Sequence, residues 1–301
     1  MIKFENITKQ FKTDFWAGPF TALDNVSFSI TEGEVIGFLG ANGAGKTTSL
    51  KILMKFIKQT SGSIFYDKSL GKNRQEIFKN IGYLPERPYF YPYLTGREMA
   101  TYMGKLNELN HSEIAQNIKT LFARLNLAGA LDRKIRDYSK GMLQRLGFIT
   151  ALMHSPRLII LDEPLSGLDP IGRKEFKDII RELNMAEKTI FFSSHIVTDV
   201  EEVCKKVIAL ENGRVFYEGP IDQLIDDNTK GMLELILPSR LGDQFNNYLK
   251  YSDENSITYE LPIRLKEEVL KIIYQEKIAI TKLVSLKPTL EEIIYNTRTQ
   301  R

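Results

Sequence analysis

The sequence predicts an α/β fold built around a phosphate-binding loop, followed after about residue 220 by a small α+β appendage. Three observations predict it. The stretch "VIGFLGANGAGKTTSLKILMKFI", beginning at Val35, runs from a short apolar strand through a glycine loop into a helix with Leu50, Leu53 and Met54 on one face. "RLIILDEP" is an apolar strand that ends in Asp162 and Glu163. "TIFFSS" is another apolar strand, and it runs directly into His195.

The first stretch carries the complete pattern G-x-x-x-x-G-K-T, with Gly40, Gly45, Lys46 and Thr47 at its fixed positions. Glycines let successive backbone amides turn toward one centre, and a helix N-terminus adds its dipole, so the loop makes an anion site. Asn42, Gly43, Ala44, Gly45, Lys46, Thr47 and Thr48 are the expected nucleotide contacts. Lys46 is placed to reach the β and γ phosphates, and the Thr47 hydroxyl to ligate Mg²⁺. A glycine-rich turn that matches by accident is the alternative, but strand, loop and helix follow one another in the required order. In the second stretch, a carboxylate at the end of a strand faces the ligand crevice of an α/β sheet. Asp162 is therefore expected to hold Mg²⁺, and Glu163 to polarise the attacking water.

The remaining elements follow in chain order. "IGYLPERPYFYPYLTG", residues 81 to 96, crowds Tyr89, Phe90, Tyr91 and Tyr93 among Pro85, Pro88 and Pro92. Three prolines exclude a core strand and a helix, so this is an aromatic loop. A capping box of Thr95 and Glu98 then opens a helix, and "SEIAQNIKTLFARLNL" sets Ile114, Ile118, Leu121, Phe122 and Leu125 on one face of another. Ser139 opens a further helix as its N-cap. In the appendage, "MLELIL", "SITYEL" and "ITKLVSL" read as strands; "LGDQFNNYLKY", "LKEEVLKIIYQE" and "TLEEIIYN" read as helices.

Composition bounds the function. Hydrophobic residues make up 43% of the 301-residue chain and charged residues 26%, ordinary values for a globular protein. The net charge of +3 is too small to argue for nucleic acid, and none is expected as a partner. The single cysteine, Cys204, rules out a disulfide framework within the chain. "MIKFENITKQF" has no apolar h-region, so no secretory signal is expected, and no apolar run reaches the length of a membrane helix.

Two further phrases narrow the class of nucleotide hydrolysis. "YSKGMLQRL" precedes the Asp162 strand, and "SGLD" follows it at 166 to 169. With the phosphate loop, "LDEP" and His195 they appear in the order and spacing that resemble the ATP-binding subunit of ABC transporters, over about residues 1 to 220. The resemblance implies a P-loop NTPase of ABC type with an inserted helical subdomain at about 87–155. It also implies that a signature at Tyr138–Met142 presses on ATP held by a second subunit. Ser139 and Gly141 match that signature, whereas Lys140 and Met142 depart from its Gly and Gln. His195 matches the family's switch histidine, which contacts the γ-phosphate, and Asp169 its aspartate at the dimer interface. Glu86 stands where the family usually has Gln, and its carboxylate still offers oxygen to Mg²⁺ or to the attacking water. Phe11, closing "TKQF", matches the adenine-stacking aromatic, with Phe15, Trp16 and Phe20 as alternatives in the longer turn that follows.

The resemblance further implies a dimer, with a second copy or a homologous ATPase subunit, that powers a separate membrane-spanning permease. It places the chain peripherally at the cytoplasmic face of the membrane. The aromatics at Tyr89 to Tyr93 then read as a docking surface for that permease, the alternative being that they pack a subdomain junction. The closing "SLKPTLEEII" resembles the C-terminal phrase of ATPases that serve ABC-2-type exporters, which implies export. The competing reading is a soluble ABC-type ATPase with a regulatory or a nucleic-acid- or ribosome-linked role.

Overall fold

In the computed structural model, which describes residues 1–12, 18–229, 231–253 and 256–299, the chain forms two compact units, Met1–Pro220 and Ile221–Arg301. The first unit begins with strands β1 (Ile2–Phe11) and β2 (Phe20–Ile30). A short buried strand, β3 (Val35–Leu39), then feeds helix α1 (Lys46–Leu53). Strand β4 (Ser61–Tyr66), helix α2 (Arg74–Lys79) and strand β5 (Ile81–Leu84) follow. Three helices come next: α3 (Gly96–Leu106), α4 (His111–Arg124) and α5 (Lys140–Leu152). The unit closes with β6 (Leu158–Asp162), α6 (Pro170–Met185), β7 (Thr189–Ser194), α7 (Val197–Val203), β8 (Lys206–Glu211) and β9 (Arg214–Pro220).

Strands β3, β6 and β7 are buried at every position. Such continuous apolar runs need cover on both faces, which a parallel sheet flanked by other layers provides. They lie in a six-stranded sheet of order β5-β6-β7-β3-β8-β9, parallel except for the final antiparallel strand β9. A separate antiparallel sheet, β2-β1-β4, packs against it through a chain of rings. Phe4 stacks on Phe28 at 4.4 Å, Phe28 meets Phe38 at 5.4 Å, and Phe38 meets Phe191 at 5.1 Å. Each such pair adds about 0.5–1.5 kcal/mol beyond its buried area.

The helical region is built as its caps dictate. Thr95 and Glu98 exchange both hydrogen bonds of a capping box at α3, and Asn110 with Glu113 does the same at α4. Ile114, Ile118 and Phe122 of α4 are buried, with Leu125 just beyond, while Leu121 at the edge of that face is half-buried. Among the described residues no helix is long and apolar enough to cross a membrane.

The second unit contains α8 (Ile221–Asp227), β10 (Met232–Leu237), β11 (Leu249–Ser252), β12 (Ile257–Pro262), α9 (Lys266–Gln275), β13 (Lys282–Leu286) and α10 (Leu290–Thr299). Its four strands form an antiparallel sheet of order β11-β12-β10-β13. The helix expected over "LGDQFNNYLKY" is instead a short 3₁₀ segment, Asp243–Tyr248, followed by strand β11. Phe245 and Leu241 do face the core, but the edge of β12 offers Tyr251 and Ser252 a hydrogen-bonded ladder, and the pairing overrides the local pattern.

Candidate functional site

The register of the parallel sheet brings three strand ends together. Leu39, the last residue of β3, pairs with Ser194 of β7, and Ser193 pairs with Asp162 at the end of β6. Everything that follows these strands therefore opens on one edge of the sheet, where α/β proteins hold their ligands.

The phosphate loop leaves β3 there. Gly43 and Gly45 have φ of +83° and +108°, a left-handed region that L side chains rarely enter. A Cβ on Gly45 would also come within 2.6 Å of Leu23 and 2.8 Å of the Ala22 carbonyl. Helix α1 starts at Lys46 with no side-chain cap and no acidic residue in its first turn. Its leading amides and dipole are thus presented to an anion.

The loop walls a cavity of about 470 Å³. Asn42, Gly43, Gly45, Lys46, Thr47 and Thr48 line it, whereas Ala44 is buried beneath the loop. Glu86, Glu163 and His195 line it from the far side. Phe11 and Phe20, paired across β1 and β2, stand together at its mouth. Phe15 and Trp16 lie outside the described residues.

The charged groups are tightly linked. Lys46 Nζ donates to the carbonyls of Gly40 at 2.7 Å and Ala41 at 3.2 Å, and lies 3.2 Å from Glu163 Oε1. The other oxygen of Glu163 lies 2.8 Å from His195 Nδ1. Glu163 itself sits at φ +50°, in the left-handed region, immediately after the strand ends. Strain of that kind gathers at sites where the surroundings dictate a side chain's direction.

Ser193, which no spacing in the sequence singled out, organises the carboxylates. Its hydroxyl donates to Asp162 Oδ1 at 2.7 Å and accepts from the Glu163 backbone N–H at 3.0 Å. Thr47 Oγ1 donates to the same Asp162 oxygen at 3.4 Å. Asp162 is almost fully buried, and its Oδ2 has no hydrogen-bond partner. Burial pushes its carboxyl above the usual carboxylate range; the Ser193 and Thr47 hydrogen bonds oppose that shift, and the charges of Glu163 and Glu86 add to it.

An unpartnered buried carboxylate oxygen beside a threonine hydroxyl suits a hard divalent cation such as Mg²⁺. Among the described residues no three His, Cys, Asp or Glu gather as a metal cage. Mg²⁺ is suited to such a sparse set, since it is commonly held by one or two carboxylates together with substrate phosphates and water.

The remaining expected contacts do not reach this cavity within one chain. Ser139 caps α5, accepting from the Met142 N–H at 3.3 Å, with Gly141 in the same turn. Asp169 caps α6, accepting from the Gly172 N–H at 3.0 Å. None of the three lines the cavity.

Comparison with known proteins decides the class. Residues 23–166 match the ABC transporter domain family. The chain is 32% identical over 299 residues to the uncharacterized ABC transporter ATP-binding protein YxlF of Bacillus subtilis, covering 97% of this chain and 98% of that one. The chain belongs to the ABC transporter ATP-binding proteins. A counterpart from Nostoc sp. is 41% identical over 229 residues, 75% of this chain and 68% of its own. Among solved structures, the ATP-binding cassette MJ0796 in a dimeric post-hydrolysis state, bound to ADP and Pi, superposes with a TM-score of 0.66 at 25% identity, covering 73% of this chain and 98% of that one.

The fold is thus that of an ABC cassette, and this ATP-binding protein binds and hydrolyses ATP as the ATPase of a transporter. The cavity between the phosphate loop, Glu163 and His195 is the part of the molecule whose geometry fits that reaction.

Proposed function

We propose that the chain is the ATP-hydrolysing subunit that dimerises around ATP and powers a separate membrane-spanning permease, in the direction of export. The observation that carries this reading is the single cavity in which Lys46, the uncapped start of α1, Glu163 and His195 converge.

In this reading the triphosphate lies along loop 40–45, and Lys46 exchanges Glu163 for the β and γ phosphates. Thr47 and Asp162, with the help of Glu86, would hold Mg²⁺, whose positive charge would offset that of the phosphates. Freed from Lys46, the Glu163 carboxylate orients and polarises the attacking water. His195, whose Nδ1 lies 2.8 Å from that carboxylate, is the residue that contacts the γ-phosphate in this reading. Phe11 stacks on adenine. Glu86, half-exposed and 3.9 Å from Arg87, supplies a carboxylate where a neutral amide is usual.

Ser139, Gly141 and Asp169 lie apart from the cavity of their own chain, which supports a role at the nucleotide of a second subunit. The dimeric state of MJ0796 supports the same arrangement. ATP then closes the dimer, because each signature meets the other chain's γ-phosphate, and hydrolysis opens it. Tyr89, Tyr91 and Tyr93 are 89%, 56% and 74% exposed, which supports the aromatic loop as the permease dock at the cytoplasmic membrane face. The resemblance of "SLKPTLEEII" to exporter ATPases supports the direction. Residues 1–220 act as the ATPase domain and 221–301 as an accessory domain. The test is Glu163→Gln, which should hold ATP within a dimer without turning it over.

A further inference from the structure

Helix α7 raises a question of position. It has only seven residues, begins two residues after His195, and has no side-chain cap. A helix so short is marginal by itself, so tertiary contacts must set its place and with it the path of His195. Two contacts do so. Val200 lies against Gly37 of β3, where a Cβ would come within 2.4 Å of it. Asp199, one turn beyond His195 and 1% exposed, faces α6 and is held by two of its cations. Arg173 Nη2 lies 2.5 Å from Asp199 Oδ2, and Lys177 Nζ lies 3.0 Å from Asp199 Oδ1.

Such a cluster is costly to desolvate and strongly destabilised by loss of one partner, so it fixes geometry more than it adds stability. Its other end is equally informative. Arg173 is in the first turn of α6, one turn after the cap Asp169. Helix α6 is in turn tied to α5, the helix capped by Ser139, by an Arg145–Glu175 ion pair of 2.7 Å. The His195 segment is therefore referenced to the same rigid helix as the "SGLD" turn and the start of α5.

We propose that Asp199, through Arg173 and Lys177, is the positioning residue that holds His195 in register with α6. This rests on the assignment of His195 to the γ-phosphate. Asp199 touches no substrate atom in this account; it sets where the imidazole stands and so acts only through His195.

The experiment is steady-state ATP hydrolysis by the full chain carrying Asp199→Asn, Arg173→Gln, His195→Ala, or His195→Ala with each of the other two. Arg173 is 30% exposed and its loss leaves Asp199 paired with Lys177, so Arg173→Gln decides the matter if Asp199→Asn does not fold. The expected result is a kcat lowered about tenfold or more in each folded single variant at an unchanged KM for ATP, since displacing a reacting group by about 1 Å has effects of that order. Each double variant should be no slower than His195→Ala alone. Unchanged kcat in folded single variants, or losses that multiply with that of His195→Ala, would overturn the positioning role while leaving the ATP site intact. A His195→Ala enzyme at full rate would overturn the assignment of His195 itself, and the positioning role with it.

Discussion

Glu163 Oε1 lies 3.2 Å from Lys46 Nζ, so the phosphate-loop cation already has a carboxylate partner before any phosphate arrives. The pair is largely shielded from solvent, with side-chain exposures of 5% for Lys46 and 11% for Glu163. Nucleotide must displace that partner. Removing its charge should therefore tighten binding of ADP, which lacks the γ-phosphate needed to close a dimer. Glu163→Gln should bind ADP about three- to tenfold more tightly by titration calorimetry, a gain of roughly 1 kcal/mol at about 1.4 kcal/mol per tenfold in affinity. Equal affinity in the two proteins would mean that the carboxylate does not compete with phosphate.

Asp162 illustrates stability sacrificed at a site. Burial raises its folded-state pKa above the ordinary 3.8, so the fold favours its neutral form. Below the unfolded value the group is neutral in both states and has no effect. As pH rises through the folded value, the folded state must carry a buried charge and loses stability. Asp162→Asn keeps an acceptor for Ser193 and removes the charge. It should raise Tm near neutral pH by roughly 2–4 °C, with the advantage shrinking as pH falls toward the usual carboxylate range. Mg²⁺-dependent ATP hydrolysis should be lost in the same variant. A lower Tm at neutral pH would show that the charge is compensated in the fold.

The paired rings at the cavity mouth can be separated. Phe11→Ala should raise KM for ATP about tenfold with little change in kcat, since stacking contributes about 1–3 kcal/mol per base. Phe20→Ala should have the smaller effect. The reverse order would assign the adenine to Phe20.

Much of this site was legible because backbone conformation is written in residue type. Gly43 and Gly45 mark the turns that only glycine makes cheaply, and Lys46 and Thr47 follow at fixed spacing. The capping boxes at Thr95 and Asn110 are similarly local, although only the first was read. Ser193 was invisible, because a serine inside an apolar strand has no period or spacing to betray its partners; only the β6–β7 register brings it to Asp162. The 241–251 segment reads as a helix because Leu241, Phe245 and Tyr248 recur at helical spacing, while the four residues of strand β11 are too few to show a period of their own and are specified by their pairing with β12. The Asp199 cluster was hidden because its partners stand more than 20 residues away on α6.

The aromatic loop can be tested without disturbing catalysis. Tyr89 is 89% exposed, and Tyr91, 56% exposed, meets Tyr102 edge-on at 6.2 Å. Tyr89→Ala/Tyr91→Ala should therefore leave Tm and basal ATP hydrolysis almost unchanged, as exposed substitutions usually cost under about 0.5 kcal/mol. The same variant should fail to recover a polytopic partner that the native chain captures from detergent-solubilised membranes of the source cell. Equal recovery by both would remove the loop as the dock.

The central claim is that ATP itself joins two copies and that Glu163 ends the joined state. The most direct measurement is the mass of Glu163→Gln in solution by light scattering, with ATP and with ADP, alongside its rate of ATP hydrolysis. Twice the 34.6 kDa chain mass is expected in ATP, the single mass in ADP, and hydrolysis slowed by at least about a hundredfold. A Glu163→Gln protein that hydrolyses ATP at the native rate, or that stays at the single mass in saturating ATP, would contradict it.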